Sequence, residues 1–306
     1  MARKSGMRVG AVIGAVIATA AIAVGLAPQA SASTPTYHEY VALGDSYSAD
    51  VVVAGVDGTP TTKYVPLGCF QSTYDYPKQV AKALGVPAFY DATCGGATTD
   101  DFTGPESGLA FGGKNAPQFG HLTKSTDLVT VGIGGNDIGF ADDAEKCINF
   151  LPKPMGTSCA ARFTAGGVDQ ISARIAAAEP KVVGALNQIH QIAPLARVLL
   201  VNYLDAIPPT GCWPYVPVWN ADMAYLYAKF NEMNGMLANA ANAGGAELVD
   251  TYTPTVGHDV CRAPNQRYVE SVVPLSINDP AIAVPLHPNS AGANAQARIV
   301  LQHITG

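Results

Sequence analysis

The chain has 306 residues, of which 48% are hydrophobic and 14% charged. An average protein carries roughly 25% charged residues, so this composition excludes a disordered chain and suits a large buried core. The net charge of −6 supplies no basic face of the kind a nucleic-acid binder needs.

In chain order, the first segment is a leader. Arg3, Lys4 and Arg8 precede an apolar run over 9–26, and Ala30-Ser31-Ala32 follows. Positive residues, an apolar run and a small-x-small site in that order predict a secretory signal peptide over 1–32. No Arg-Arg pair precedes the run, which points to the general secretory route. The run is about long enough to span a bilayer, so a retained anchor is the alternative reading; the cleavage signal directly after it favours removal. Residues 33–306 then form a single domain, its fold running over about 36–306. With 3 of the 18 Lys+Arg and none of the 24 Asp+Glu removed, 15 basic residues face 24 acidic ones, a charge of −9. No second long apolar stretch follows. The mature chain is expected to be extracellular, monomeric and without stable membrane insertion.

Exported cysteines meet an oxidising environment in which pairing is the default. The six are Cys69, Cys94, Cys147, Cys159, Cys212 and Cys261. None forms Cys-x-x-Cys, which argues against zinc and against redox catalysis. Of the 15 connectivities open to six cysteines, sequential pairing (69–94, 147–159, 212–261) is the least tangled.

Beyond residue 36, short apolar runs alternate with helical periodicity. Residues 40–43 predict a strand ended by Gly44, 76–84 a helix, and 86–93 a weaker strand. Residues 128–133 predict a third strand. The segment 168–192 carries apolar residues at helical spacing, and Pro180 is expected to break or kink it. Residues 197–203 predict a fourth strand, 222–243 a helix, 246–252 a fifth strand and 290–304 a last helix. The Pro-rich stretches 60–75 and 207–218 each hold a Cys and read as stapled loops. Strand and helix in alternation predict one doubly wound α/β domain, an α/β/α sandwich with a buried parallel sheet.

In such a sheet, functional residues gather outside the carboxyl ends of the strands. Gly44-Asp45-Ser46-Tyr47-Ser48 follows the first strand, Cys94-Gly95-Gly96-Ala97-Thr98 the second and Gly134-Gly135-Asn136-Asp137 the third. Leu286-His287-Pro288-Asn289 precedes the last helix. Ser, Gly, Asn and His thus converge from four distant places, and that set suits acyl transfer. A serine hydroxyl attacks well only when an imidazole takes its proton, and the resulting oxyanion needs preorganised donors. The backbone N–H groups of Ser46 and Gly96 and the side-chain amide of Asn136 can supply three. Asp45 reads as a local hydrogen-bond scaffold and Asp137 as a helix cap. His38, His121, His190, His258 and His303 are assigned no catalytic role. Trp213, Tyr215, Trp219, Tyr225 and Tyr227 read either as loop and helix packing or as an apolar wall for an acyl chain.

This constellation resembles the SGNH/GDSL hydrolase family. Gly44-Asp45-Ser46 matches its first block, Gly96 its second, Gly134-x-Asn136-Asp137 its third and His287 its fifth; the resemblance spans about residues 38–303. The six cysteines and Gly257-His258-Asp259-x-Cys261 resemble the secreted actinobacterial esterase, lipase and phospholipase branch. That branch pairs its cysteines sequentially. The resemblance implies a flavodoxin-like fold with a five-stranded parallel sheet, a small-molecule or lipid ester substrate, and no cofactor or metal.

One position departs from the common family pattern. Many members carry Asp three residues before the histidine, where this chain has Val284. The acid's task is to hold the imidazole tautomer and steady the imidazolium. A backbone carbonyl can do the first and part of the second, and some relatives in the branch use such a dyad. The expectation is a Ser46–His287 dyad with the Val284 carbonyl as the orienting group and Asp279 as the fallback acid. A carbohydrate (acetyl) esterase using the same site and a catalytically dead binding protein are the alternatives. A Rossmann-type oxidoreductase is disfavoured by the missing third glycine after Gly132-x-Gly134. An α/β-hydrolase is disfavoured because 44–48 lacks the final glycine of the nucleophile elbow.

Overall fold

The computed structural model describes residues 35–55, 60–273 and 281–306, together with Met1, Ala2, Gly6 and Gly10. The chain divides into two units, Met1–Thr34 and Pro35–Gly306. All but four residues of the expected leader, and Asp279, lie outside the described residues.

Five short apolar runs form the central sheet of the second unit. They are β1 (Glu39–Gly44), β2 (Ala88–Asp91), β3 (Leu128–Gly132), β4 (Arg197–Val201) and β5 (Glu247–Val249). All neighbours pair in parallel, in the order β2-β1-β3-β4-β5. The chain passes outward from β1 to β2, then returns across β1 to β3. That reversal opens a crevice at the carboxyl ends of β1 and β3, where open α/β sheets bind their ligands.

Seven α-helices complete the described fold: α1 (Ser46–Ala49), α2 (Tyr76–Leu84), α3 (Phe140–Glu145), α4 (Cys159–Phe163), α5 (Gln170–Ile192), α6 (Asn220–Ala243) and α7 (Ser290–Thr305). The two-residue period of the strands divides their side chains between two cores. Val41, Leu43, Val129, Val131, Val198 and Leu200 face a core shared with Val182 and Leu186 of α5 and Leu226, Phe230 and Leu237 of α6. Tyr40, Ala42, Leu128, Leu199, Val201 and Val249 face the opposite core, shared with Tyr76 and Val80 of α2 and Val300 and Ile304 of α7. The result is the doubly wound sandwich. Each sheet face depends on close packing, so a truncation such as Leu200→Ala should cost about 2–5 kcal/mol.

Pro180 does not break α5, which runs continuously from Gln170 to Ile192. Proline removes one amide donor, and buried Ile175 and Ala178 before it and Val182 and Leu186 after it fix both halves against the sheet. Outside the sheet, Val52–Gly55 pairs with Ala281–Ala283, and Glu106–Ser107 with Lys114–Asn115. Disulfides join Cys69 to Cys94, Cys147 to Cys159 and Cys212 to Cys261. Among the described residues, no helix is long and apolar enough to cross a membrane.

Candidate active site

β1 and β3 both end in glycine because their ends run too close for side chains. A Cβ at Gly44 would collide with the Gly132 carbonyl, and φ there is +146°. Buried Gln118 holds both backbone groups of Gly44, accepting from its N–H at 2.8 Å and donating to its carbonyl at 3.0 Å. The chain then turns into α1. The Asp45 N–H donates to the Gly132 carbonyl at 2.9 Å, and Asp45 Oδ1 caps the helix by accepting from the Tyr47 N–H at 3.0 Å. Ser46 is therefore the first helical residue, fixed on both sides.

The loops after β2 and β3 are stitched together. Asn136 Nδ2 donates to the Ala97 carbonyl at 2.9 Å. One of its two amide protons is used there. Asp137 is not a helix cap; its carboxylate accepts from the Thr99 N–H at 3.1 Å and from the Thr99 hydroxyl at 2.5 Å. Gly96 lies one residue before Ala97 with φ +97°, a conformation that favours glycine. The Cys69–Cys94 bond anchors the start of this loop.

His287 reaches Ser46 from the other end of the chain. Its Nε2 lies 2.8 Å from Ser46 Oγ, and its Nδ1 lies 3.0 Å from the carbonyl oxygen of Pro285. The orienting carbonyl is thus that of Pro285, which corrects the expectation of Val284. The reason is the turn over 284–287. The His287 N–H closes it onto the Val284 carbonyl at 3.1 Å, so that oxygen is already engaged. Pro285 in second place and Leu286 at φ +65° in third carry the signature of a type II turn, which normally puts glycine third. The backbone of Leu286 is held by two contacts: its N–H donates to the Glu270 carbonyl at 3.0 Å, and its carbonyl accepts from the Tyr47 hydroxyl at 2.6 Å. Such over-determination is what keeps a non-glycine residue in that conformation. Asn289 follows as the cap of α7, with its amide on the Arg267 carbonyl and on Glu270 Oε1. Glu270 in turn forms a buried ion pair with Arg267 at 2.5 Å.

A carbonyl can only accept, so Nδ1 carries the proton and Nε2 is left to accept from the serine hydroxyl. Burial lowers the pKa of His287 below its ordinary 6.5, partly opposed by the Pro285 carbonyl. Burial also lifts the Asp45 carboxyl to about 7, against the pull of Tyr203 and the Tyr47 N–H.

Ser46, Asn136 and His287 open onto a cleft of about 210 Å³. Its apolar wall comes from Phe140 and Ala144 of α3, from Phe230 and Met233 of α6, and from Ile207 and Val260 in loops. None of the five aromatic residues singled out in the sequence lines it. Trp213 and Trp219 instead donate their indole N–H groups to the carbonyls of Asn149 and Leu151, pinning the loop closed by Cys147–Cys159. The signal that could have found the wall is the Phe230/Met233 pair, spaced three apart on one buried helix face. Tyr203, also in the cleft, directly ends the run Val198-Leu199-Leu200-Val201-Asn202 at the carboxyl edge of the sheet. His38, His121, His258 and His303 are engaged with Asp127, Tyr90, Tyr268 and Glu247, and none of the four lines the cleft.

The sequence profile of the GDSL-like Lipase/Acylhydrolase family matches residues 42–295. "Lipase 2" of Streptomyces coelicolor is 36% identical over 272 residues, covering 87% of this chain and 85% of the relative. The crystal structure of a phospholipase A1 from Streptomyces albidoflavus shares the fold, with a TM-score of 0.67 at 24% identity over 89% of this chain and 100% of that one. An extracellular lipase from Streptomyces rimosus superposes with a TM-score of 0.59 at 25% identity, over 88% and 100% of the two chains. The strand order, the turn that presents Ser46 and these matches agree: the chain belongs to the GDSL-like lipase/acylhydrolase family, whose members are carboxylic ester hydrolases.

Proposed function

We propose that the chain is a secreted serine hydrolase of lipid acyl esters. The observation that carries this reading is the 2.8 Å contact between His287 Nε2 and Ser46 Oγ at an apolar cleft. His287 takes the serine proton as Oγ attacks the ester carbonyl. The Pro285 carbonyl keeps the tautomer and partly steadies the imidazolium. The Ser46 and Gly96 N–H groups and the second amide proton of Asn136 bind the developing oxyanion. The imidazolium then protonates the leaving alcohol, and water, activated the same way, releases the acid. The chemistry needs no cofactor.

The apolar wall and the names of the relatives favour a lipid acyl chain over an acetylated polysaccharide. Secretion is favoured by the three disulfides, by the Arg/Lys-apolar-Ala30-Ser31-Ala32 leader and by the extracellular relative. The test is an activity panel of acyl esters of rising chain length, phospholipids and acetylated xylan, with Ser46→Ala as the control. Activity confined to acetylated xylan would replace the lipid reading, and no activity on any ester would leave a binding protein. The mass of the exported chain should place its N-terminus at Ser33.

A further inference from the structure

Tyr203 has no part in the steps above, yet two loops of the site meet at its side chain. It lies two residues beyond β4 and is 4% exposed. Asn234 of α6 clamps its backbone, accepting from the Tyr203 N–H at 3.1 Å and donating to the Tyr203 carbonyl at 3.0 Å. Its ring stands edge-on to Tyr47, with centroids 5.0 Å apart. Its hydroxyl accepts from the Gly135 N–H at 2.7 Å and donates to Asp45 Oδ2. The direction of that proton is fixed. A phenol has one proton and the Gly135 amide can only donate, so the proton points to Asp45. Asp45 precedes the nucleophile and caps its helix, and Gly135 precedes Asn136. The fit around the hydroxyl is close, since a Cβ at Gly135 would lie 2.9 Å from the phenol oxygen.

We propose that Tyr203 is a positioning residue for hydrolysis: its hydroxyl is a cross-brace that sets the spacing between Ser46 and the Gly135–Asn136 segment. The two come from different strands, and no covalent link fixes one against the other. An oxyanion donor works only when it sits about 2.7–3.1 Å from where the oxyanion forms, and a misplacement of about 1 Å can cost about 10²-fold. One phenol oxygen, bonded to both loops, limits that freedom without touching the substrate. The inference rests on the assignment of Ser46 and Asn136 made above.

The experiment is a double-mutant cycle with Tyr203→Phe and Asn136→Ala, reading kcat, KM and melting temperature on a short-chain ester. Tyr203→Phe keeps the ring and its packing and removes only the oxygen. It should lower kcat by about 10–10²-fold with KM nearly unchanged. In the Asn136→Ala background the same replacement should cost little more, because residues acting through one contact are non-additive. A folded Tyr203→Phe enzyme with wild-type kcat overturns the proposal, as do losses that simply multiply across the cycle. A costly Asn136→Ala beside a silent Tyr203→Phe removes this inference alone; a silent Asn136→Ala removes the oxyanion assignment and the inference with it. If Tyr203→Phe does not fold, Asp45→Asn replaces it in the cycle, since with its oxygen still on the Tyr47 N–H it turns an N–H donor toward the phenol and takes away the acceptor for the phenol's proton. The same kcat loss and non-additivity are expected, and wild-type kcat in that variant overturns the proposal.

Discussion

The two halves of the Ser46–His287 pair are held by different means. At the serine end, side chains do the holding: Gln118 clasps Gly44, Asp45 caps α1, and Tyr203 braces Asp45 against Gly135. At the histidine end, the main chain carries most of the load. The turn closes from the His287 N–H to the Val284 carbonyl, the Glu270 N–H donates to the His287 carbonyl at 2.8 Å, and the imidazole rests on the Pro285 carbonyl. Where many family members place a carboxyl behind the histidine, this chain places the Pro285 carbonyl. The consequence is electrostatic. A carboxylate would raise the imidazole's pKa, whereas burial beside a neutral carbonyl lowers it. As the proposed base, the imidazole is weaker but stays unprotonated to lower pH.

The largest effect should come from the serine end. Ser46→Ala should reduce ester hydrolysis by about 10⁴-fold or more at an unchanged melting temperature; substantial residual turnover would take Ser46 out of the mechanism. Asn136→Ala should lower kcat by about 10²–10³-fold, the usual range for one oxyanion donor. If kinetics show the loss in KM alone, Asn136 binds substrate rather than the oxyanion.

The histidine end should answer more weakly. Val284→Ala should keep most activity, because the orienting oxygen belongs to the backbone of Pro285. Asp279→Asn should be mild as well, since Nδ1 is already engaged. A loss of orders of magnitude in Asp279→Asn would place an acid behind the histidine and erase the contrast between the two ends. The pH profile of kcat/KM sharpens it. In the proposed mechanism the neutral imidazole is the active form, so activity should fall as pH drops through the pKa of His287. That pKa is lowered by burial, so the midpoint should lie below 6.5. A midpoint above 6.5 would imply a carboxylate partner.

The smallest effect concerns stability. Burial lifts the carboxyls of Asp45 and Glu106 to about 7 and that of Asp205 to about 6. A group whose folded pKa is raised adds stability while both states are protonated and loses it as pH rises through the folded value. The contribution of these three carboxyls to the melting temperature should therefore decline between about pH 4 and pH 7. Glu106 Oε2 is buried with no hydrogen-bond partner, so Glu106→Gln should flatten that decline and raise the melting temperature at pH 8. An unchanged slope in thermal scans would remove Glu106 as its source.

Much of this was legible in the chain. The five runs ended by Gly or turn residues mark the five strands, because a doubly covered parallel strand needs little beyond short, continuous apolarity. The strand-end rule leads to Ser46 and Asn136, and the residues just before α7 include His287. Two features were not legible, for physical reasons. Which carbonyl faces Nδ1 depends on the turn type at 284–287, and a leucine in the place that favours glycine conceals that type. The cleft wall combines α3, α6, Ile207 and Val260, which meet only in the folded chain, whereas Trp213 and Trp219 of the dense aromatic run pin a loop and Tyr225 and Tyr227 pack against the core.

Ser46 and His287 stand 241 positions apart. A ribosome delivers the serine among the first residues of the folded unit and the histidine only after all five strands have been made. Until then the serine is an ordinary alcohol with no base beside it. Under the proposed mechanism, a fragment that stops short of residue 287 lacks the base that activates Ser46. If the pair acts as proposed, this ordering is a clock: hydrolysis would start only once the segment carrying His287 has docked beside Ser46.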